Sequence, residues 1–380
     1  MQGWQRIPLS CAGAMFVAMG LGRFSYSAMV PALVHSERIS AEAAGWIGGA
    51  NLAAFFLGAA LSENLRRRLP MALGMRWAVA LSVAALALSA LDWGVVWLGL
   101  CRALLGVTAG VIMVHGVTLS TNAAPEGRRA GAAGIMFAGV GVGILFSGVL
   151  VPVLLAHGLD AAWLGIAAAG LGGAVVAMVG FAGAAAVTGN GERRSILKIL
   201  AADKFWPKLA AAYFLFSFGI TPHTLYWVDF LARELGLGIA VGGLHWAAVG
   251  LFAIAGPWAA AWLAGRMRPG PAVVVSFVLL GAGVAAPGLA QWTPVLWFST
   301  MLFGAQPGVT TVKAARARDK AHPDVMPQVM RVMIMSSALG AAVGGVGFPA
   351  LFNATGLYEP LFLIGGAGLW VAALLTIPRD

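Results

Sequence analysis

Apolar runs of roughly twenty residues or more recur along the whole chain, separated by short polar loops. This pattern limits what the chain can fold into. A run of that length crosses the hydrocarbon core of a bilayer, where each backbone N–H and C=O must be bonded within the protein. We read such spans as membrane helices. We read twelve of them. In the first half they lie near 8–34, 43–63, 71–91, 94–121, 129–157 and 160–187, and in the second near 209–232, 241–265, 270–290, 293–315, 326–353 and 357–377. Composition agrees: 60% of the residues are hydrophobic, 10% are charged and the mean hydropathy is +0.87, outside the range of soluble globular domains. The 52 glycines suit close helix packing in lipid, and no three-residue glycine repeat points to collagen.

The formal net charge of +10 raises the question of nucleic acid, but the basic residues sit in short loops between the spans, where membrane topology puts them. With the N-terminus inside, all 24 lysines and arginines fall on the cytoplasmic side except Arg38 and Arg233, which face outward, and Arg23 and Arg102, which are intramembrane. Such a bias gives an even number of spans and both termini in the cytoplasm. A polar stretch with Arg193, Arg194, Lys198, Lys204 and Lys208 divides the chain into a six-helix half over 1–187, a linker over 188–208 and a second six-helix half over 209–380. The halves echo each other at an offset of 200: Arg23 and His223, Tyr26 and Tyr226, Trp46 and Trp246, Trp97 and Trp297. A duplicated six-helix unit leaves such an echo.

Polar groups inside spans are the informative minority, because each is expensive in lipid. Gly20-Leu21-Gly22-Arg23-Phe24-Ser25-Tyr26, with Pro31 beyond, puts a guanidinium within the first span. Arg23, Tyr26 and Ser27 share one helical face, which should look away from lipid. Arg102 lies well inside the fourth span. Two such arginines favour an anionic solute or an acidic coupling group. On the seventh span Pro222, Tyr226 and Asp229 share a face, with His223 deeper. Asp229 is either a solvated helix-end carboxylate, or one that takes a proton or pairs with an arginine of the first half. Gln306, Thr310 and Lys313 line the tenth span, Gln306 deep enough for a ligand and Lys313 expected to snorkel to the inner face. Asn51 can bond solute or a neighbouring helix. Trp46, Trp97, Trp246, Trp292 and Trp297 read as an aromatic belt near the outer ends. Cys11 and Cys101 fit neither a disulfide framework nor a metal spacing, and we expect no cofactor.

The glycine–arginine motif of the first span, with Gly45 through Asn51 to Gly58 in the second, resembles the bacterial YbfB/YjiJ-type group of the major facilitator superfamily. Arg102-Ala103-Leu104-Leu105-Gly106 is similar to that superfamily's Arg-x-x-x-Gly pattern in the fourth helix. Gly139, Gly141, Gly143 and Gly148, ending at Pro152, loosely resemble the glycine-rich fifth helix of antiporters. After the second span the superfamily has glycine, aspartate and basic residues. Here Gly58 is followed by Ser62 at the aspartate's place, then Glu63 and Arg66-Arg67-Arg68, so Glu63 is the candidate to stand in at a gating loop. The resemblance implies an all-α membrane protein of two six-helix bundles that works by alternating access.

Together these readings lead us to expect a secondary transporter of a small organic, anionic solute in the bacterial cytoplasmic membrane. We expect it to be monomeric and proton-coupled, with efflux as a direction it allows and uniport or anion exchange as alternatives. The candidate substrate and coupling residues are Arg23, Tyr26, Asn51, Arg102, His223, Tyr226, Asp229 and Gln306. The competing readings are a membrane enzyme or a receptor with the transporter fold. The first finds little support in six histidines scattered singly, with no HExxH or Gly-x-Ser-x-Gly motif. The second usually brings a long soluble appendage, and every loop here is short.

Overall fold

The computed structural model describes residues 3–125, 128–181, 201, 203–321 and 326–378. Most of the linker expected over 188–208 lies outside these residues, with Arg193, Arg194 and Lys198 among it. The described chain is helical, without strands. Its twelve membrane helices are α1 (Gly3–His35), α2 (Ala41–Arg68), α3 (Met71–Leu88), α4 (Gly94–Ala123), α5 (Arg129–Leu155), α6 (Leu159–Phe181), α7 (Phe205–Gly219 and Thr221–Asp229), α8 (Gly238–Met267), α9 (Pro269–Ala285), α10 (Thr293–Gly304 and Gln306–Lys320), α11 (Met326–Thr355) and α12 (Glu359–Thr376).

Helix starts follow local chemistry. Ser40 caps α2 by accepting from the Ala43 N–H at 3.2 Å, Glu42 sits in its first turn, and Arg66, Arg67 and Arg68 close its last turn, complementing the helix dipole at both ends. Prolines at the first or second position open α9, both pieces of α10 and α12, where the missing N–H has no intrahelical role.

Ten helices are long and apolar enough to cross a membrane without interruption. The remaining two, α7 and α10, are each broken in the middle, at Ile220 and at Ala305. The breaks share a local sequence, Gly219-Ile220-Thr221-Pro222 and Gly304-Ala305-Gln306-Pro307. Proline two residues beyond each break supplies no N–H to the carbonyl four residues back, at Phe218 or Phe303, so the ladder is interrupted there. The first helix deviates too: Phe16–Leu21 is wound as a π-helix, the Gly22 N–H bonds to the Val17 oxygen at 2.7 Å, and the α-helix resumes at Phe24. Arg23 therefore sits at a local break and not on a regular helical face.

The described residues pack into two compact units. The first comprises α1–α6 with Leu225–Leu251, which is the end of α7 and the start of α8. The second comprises the described parts of Asn190–Thr224 and Phe252–Asp380. Within the first unit, small residues let backbones meet. A Cβ on Gly20 would lie 2.7 Å from the Gly143 Cα, and one on Gly143 would lie 2.5 Å from the Gly20 Cα, which locks α1 to α5. Gly58, Gly106 and Gly110 do the same for α2 against α4. On its other side α5 meets the start of α8 through Gly148 and Pro152 against Gly243 and Ala247. The glycines of α5 thus serve two close helix contacts. The second unit is cored by Phe216, Phe277, Leu280, Val309, Val312 and Leu369. Leu57, Val149, Trp258, Leu279 and Leu374 are among the large apolar side chains left exposed on the outside, as a lipid-facing surface requires.

Candidate functional site

The α1–α5 and α2–α4 seams bring four of the predicted residues together in the first unit. A Cβ on Gly106 would run into the Asn51 backbone oxygen, so α4 can lie directly against α2 at the level of Asn51. There the Asn51 side chain joins three helices: its Oδ1 accepts from Arg23 Nε of α1 at 3.2 Å, and its Nδ2 donates to the Arg102 carbonyl of α4 at 2.9 Å. Arg102 completes the ring by donating from Nη2 to the Arg23 carbonyl at 3.1 Å. Each guanidinium also lies over an aromatic face. Arg23 Cζ is 4.4 Å from the centroid of Phe55, and Arg102 Cζ is 4.8 Å from that of Tyr26. Tyr26 is itself fixed, its hydroxyl donating to the Ala44 carbonyl at 2.9 Å.

This arrangement leaves charge unanswered. Arg102 is 1% exposed, and among the described residues neither arginine has a carboxylate within ion-pair distance. Arg23 Nη2 and Arg102 Nε and Nη1 are buried donors without a protein partner among the described residues. Burying an ion costs several kcal/mol. A cation–π contact offsets about 0.5–2 kcal/mol, and a hydrogen bond from a charged group about 1.5–3 kcal/mol. An anion bridging the three idle donors would complete the balance, because a guanidinium offers paired N–H groups that match a carboxylate or phosphate.

The start of α8 closes over this cluster within the same unit. Trp246 is fully buried, its indole N–H donates to the Phe24 carbonyl at 2.9 Å, and its ring lies 5.9 Å from that of Phe24. It is therefore not a belt residue, since a buried indole N–H needs a protein acceptor and finds one beside Arg23. Trp46 and Trp292, by contrast, are exposed. Leu225 of α7 lies against Gly48, itself beside Tyr26. Tyr226 and Asp229, both buried, belong to the same segment. Asp229 is 2% exposed, so it is not a solvated helix-end group, and Arg233, one turn on in its own helix, pairs with it. That pair is bidentate, at 2.5 and 2.8 Å.

The residues expected at a gating loop lie far along α2 from Asn51. Glu63 is bonded by Arg66 at 2.7 and 3.1 Å and approached by Arg67 at 3.4 Å, all on one helix. Arg68 ends that helix. Ser62, at the place of the family aspartate, donates to the Ala59 carbonyl, and its own carbonyl meets His115 Nε2 at 2.9 Å.

In the second unit His223 sits just past the α7 break, where its Nε2 meets the Ser299 hydroxyl of α10 at 2.7 Å. The rings of Phe303 and Phe362 lie 4.9 and 4.8 Å from the imidazole. Gln306 opens the second piece of α10. Two turns further on, Lys313 departs from expectation. It is 1% exposed and does not snorkel; its Nζ lies 3.3 Å from the ring centroid of Phe216 and 4.1 Å from that of Tyr213. Two aromatic faces within reach hold the ammonium inside the helix bundle. Phe55, Ser299 and this cage were missed in the sequence. An aromatic four residues after Asn51, on its face of α2, is a signal from which Phe55 could have been found.

The described helices make a twelve-helix architecture like that of the major facilitator transporters. The crystal structure of a bacterial homolog to the human lysosomal transporter Spinster, in an inward-facing and unoccupied conformation, superposes with a TM-score of 0.70, covering 99% of this chain and 95% of that one. At 14% identity this likeness shows the fold alone. A family model described as the uncharacterised MFS-type transporter YbfB matches residues 15–377, and the chain belongs to that family. None of the curated proteins compared matches the chain. Family and fold point to a multi-pass membrane transporter, not an enzyme.

Proposed function

We propose that the protein moves a small anionic organic solute across the bacterial cytoplasmic membrane, as a proton-coupled secondary transporter working outward. The observation that carries this reading is the Arg23–Asn51–Arg102 cluster, with its idle guanidinium donors and no carboxylate among the described residues to answer them. A cationic or lipophilic solute would gain nothing from such a site. Tyr26 and Asn51 shape it. Tyr226, Asp229, His223 and Gln306 line the route or carry coupling from the second half of the chain, and Glu63 with Arg66, Arg67 and Arg68 serves the inner gate. The halves 1–187 and 209–380, joined by the linker 188–208, rock as two bundles in the alternating-access cycle the family uses. The one-sided distribution of lysine and arginine supports placing both termini in the cytoplasm.

The test is a stability screen of the purified, detergent-solubilised protein against anionic, neutral and cationic metabolites. A ligand that binds only the folded state raises apparent stability. Stabilisation confined to anions and lost in Arg102→Ala is expected. Stabilisation by cations or lipophilic compounds that survives this substitution, or an Arg102→Ala variant that transports at the wild-type rate across pH, would make the arginines structural.

A further inference from the structure

We propose that Lys313 is the group that binds and releases the coupling proton, an assignment that rests on the proton-coupled reading above. The case is geometric. Lys313 lies in the second piece of α10, seven residues past Gln306 on the same face, with its Nζ over the rings of Tyr213 and Phe216 of α7 and its side chain 1% exposed. The Tyr213 hydroxyl is buried and has no hydrogen-bond partner among the described residues.

Among the described residues no carboxylate lies within ion-pair distance of the ammonium. The charged groups on the described elements packed around it are Lys208 in the first piece of α7, Arg266 on α8, Arg268 before α9 and Arg331 on α11, all basic, with Arg316, Arg318, Asp319 and Lys320 further along its own helix; Asp229, at the far end of α7, is paired with Arg233. Glu359, at the start of α12, accepts from Gln291 at 3.0 Å. Neither Asp319 nor Glu359 is within ion-pair distance of Lys313.

A cation that is only structural would have a fixed counter-charge or a full set of hydrogen bonds. This one has two aromatic faces, which favour the charged form while the surrounding apolar core disfavours it. The two forms are thereby brought close in free energy. Chemistry separates it from the arginines of the first unit: a guanidinium does not lose its proton in a protein, whereas a buried lysine amine does. In the cycle Lys313 gives its proton to water on one side of the membrane, becoming a neutral amine, and takes one from water on the other. The carrier thus crosses with one proton more or fewer for each solute moved.

Lys313→Met is the informative variant, because a thioether fills the aromatic cage without charge; Lys313→Arg keeps the charge and cannot release it. In protein labelled with ¹⁵N-lysine, the Lys313 Nζ resonance, identified by its loss in Lys313→Met, is expected to pass between ammonium and amine over the pH range in which transport is measured. A resonance that stays in one form overturns the proposal. For transport the probe is whichever of acetate, lactate, succinate, benzoate and inorganic phosphate stabilises the protein most. In proteoliposomes at equal pH, Lys313→Met should exchange labelled for unlabelled probe within about twofold of wild type, while accumulation driven by a pH gradient falls about tenfold or more in both variants. Wild-type accumulation by either variant overturns the assignment. If none of these anions moves through the wild type while Lys313 still changes form, the anion reading falls and the lysine assignment stands.

Discussion

In the first unit Asn51 accepts from the Arg23 guanidinium and donates to the Arg102 carbonyl, the Arg102 guanidinium donates to the Arg23 carbonyl, and both guanidiniums still present donors without a partner among the described residues. In the second, a lysine lies over two rings and the His223 imidazole meets the Ser299 hydroxyl. Both regions keep basic groups away from lipid on corresponding helices of the two halves. The first uses charges that cannot be discharged and the second uses groups that can. The backbones differ in parallel: α4 runs unbroken past Arg102, while its counterpart α10 is interrupted at Ala305, between His223's partner Ser299 and Lys313. Permanent charge suits binding of a charged solute, and exchangeable charge suits coupling.

The largest expected effect comes from supplying the first region with its own anion. Phe55→Glu replaces the ring 4.4 Å from Arg23 with a carboxylate in reach of the guanidinium. The variant should fold, since it gains a partner for a buried charge, and should lose anion-induced stabilisation by about 100-fold in apparent affinity or more, from competition with an internal counter-ion. Phe55→Leu, which removes only the cation–π contact, should weaken anion binding by about 2- to 30-fold. Equal anion response in Phe55→Glu and wild type, read by thermal shift, would break the comparison at its root, because the idle donors would then not be the anion site.

Next in size is the seam that sets the geometry. Gly106→Leu forces a side chain where even a Cβ meets the Asn51 oxygen and the Ala54 Cβ. Overpacking of this kind costs about 1–3 kcal/mol. The expected result is a lower melting temperature in detergent together with loss of anion response, because α4 cannot then bring Arg102 to Arg23. Glycine to leucine at Gly99, where a Cβ meets nothing, is the control expected to change neither. Asn51→Ala is gentler. It removes the acceptor of Arg23 and the donor to the Arg102 carbonyl, at about 1–2 kcal/mol, and should lower anion affinity about 5- to 30-fold while both arginines remain.

Much of this was legible in the residues. Apolar runs gave all twelve helices, because the bilayer admits so few backbone solutions. Arg23, Tyr26, Asn51 and Arg102 stood out because polar groups in such runs are costly. Their mutual geometry was not readable. It depends on two helix seams and on a π-turn at Phe16–Leu21 that shifts Arg23 off the face a regular helix predicts. Lys313 and Trp246 were misread for a common reason. Sequence position put each near a membrane surface, where snorkelling and belt placement are the usual outcome, and burial depends on partners from distant helices: Tyr213 and Phe216 for one, the Phe24 carbonyl for the other. The breaks in α7 and α10 carried a readable signal in the repeated Gly-x-Thr/Gln-Pro, where helix-sized hydropathy alone saw two unbroken spans.

Ser299→Ala should have the smallest effect, and it bears most directly on whether the two regions are separate. It deletes the hydroxyl 2.7 Å from His223 Nε2 and leaves the imidazole between Phe303 and Phe362. Losing one buried hydrogen bond costs about 1 kcal/mol, so a modest fall in melting temperature is expected. Anion affinity should stay within about twofold of wild type, because no permanent cation has been touched. Asn51→Ala removes hydrogen bonds of the same kind and is expected to weaken anion binding several times more. Measured side by side against the same anion, the pair weighs location against chemistry. If Ser299→Ala weakens anion binding as much as Asn51→Ala does, then the solute depends on both regions alike, and the division between permanent and exchangeable charge does not describe how this transporter works.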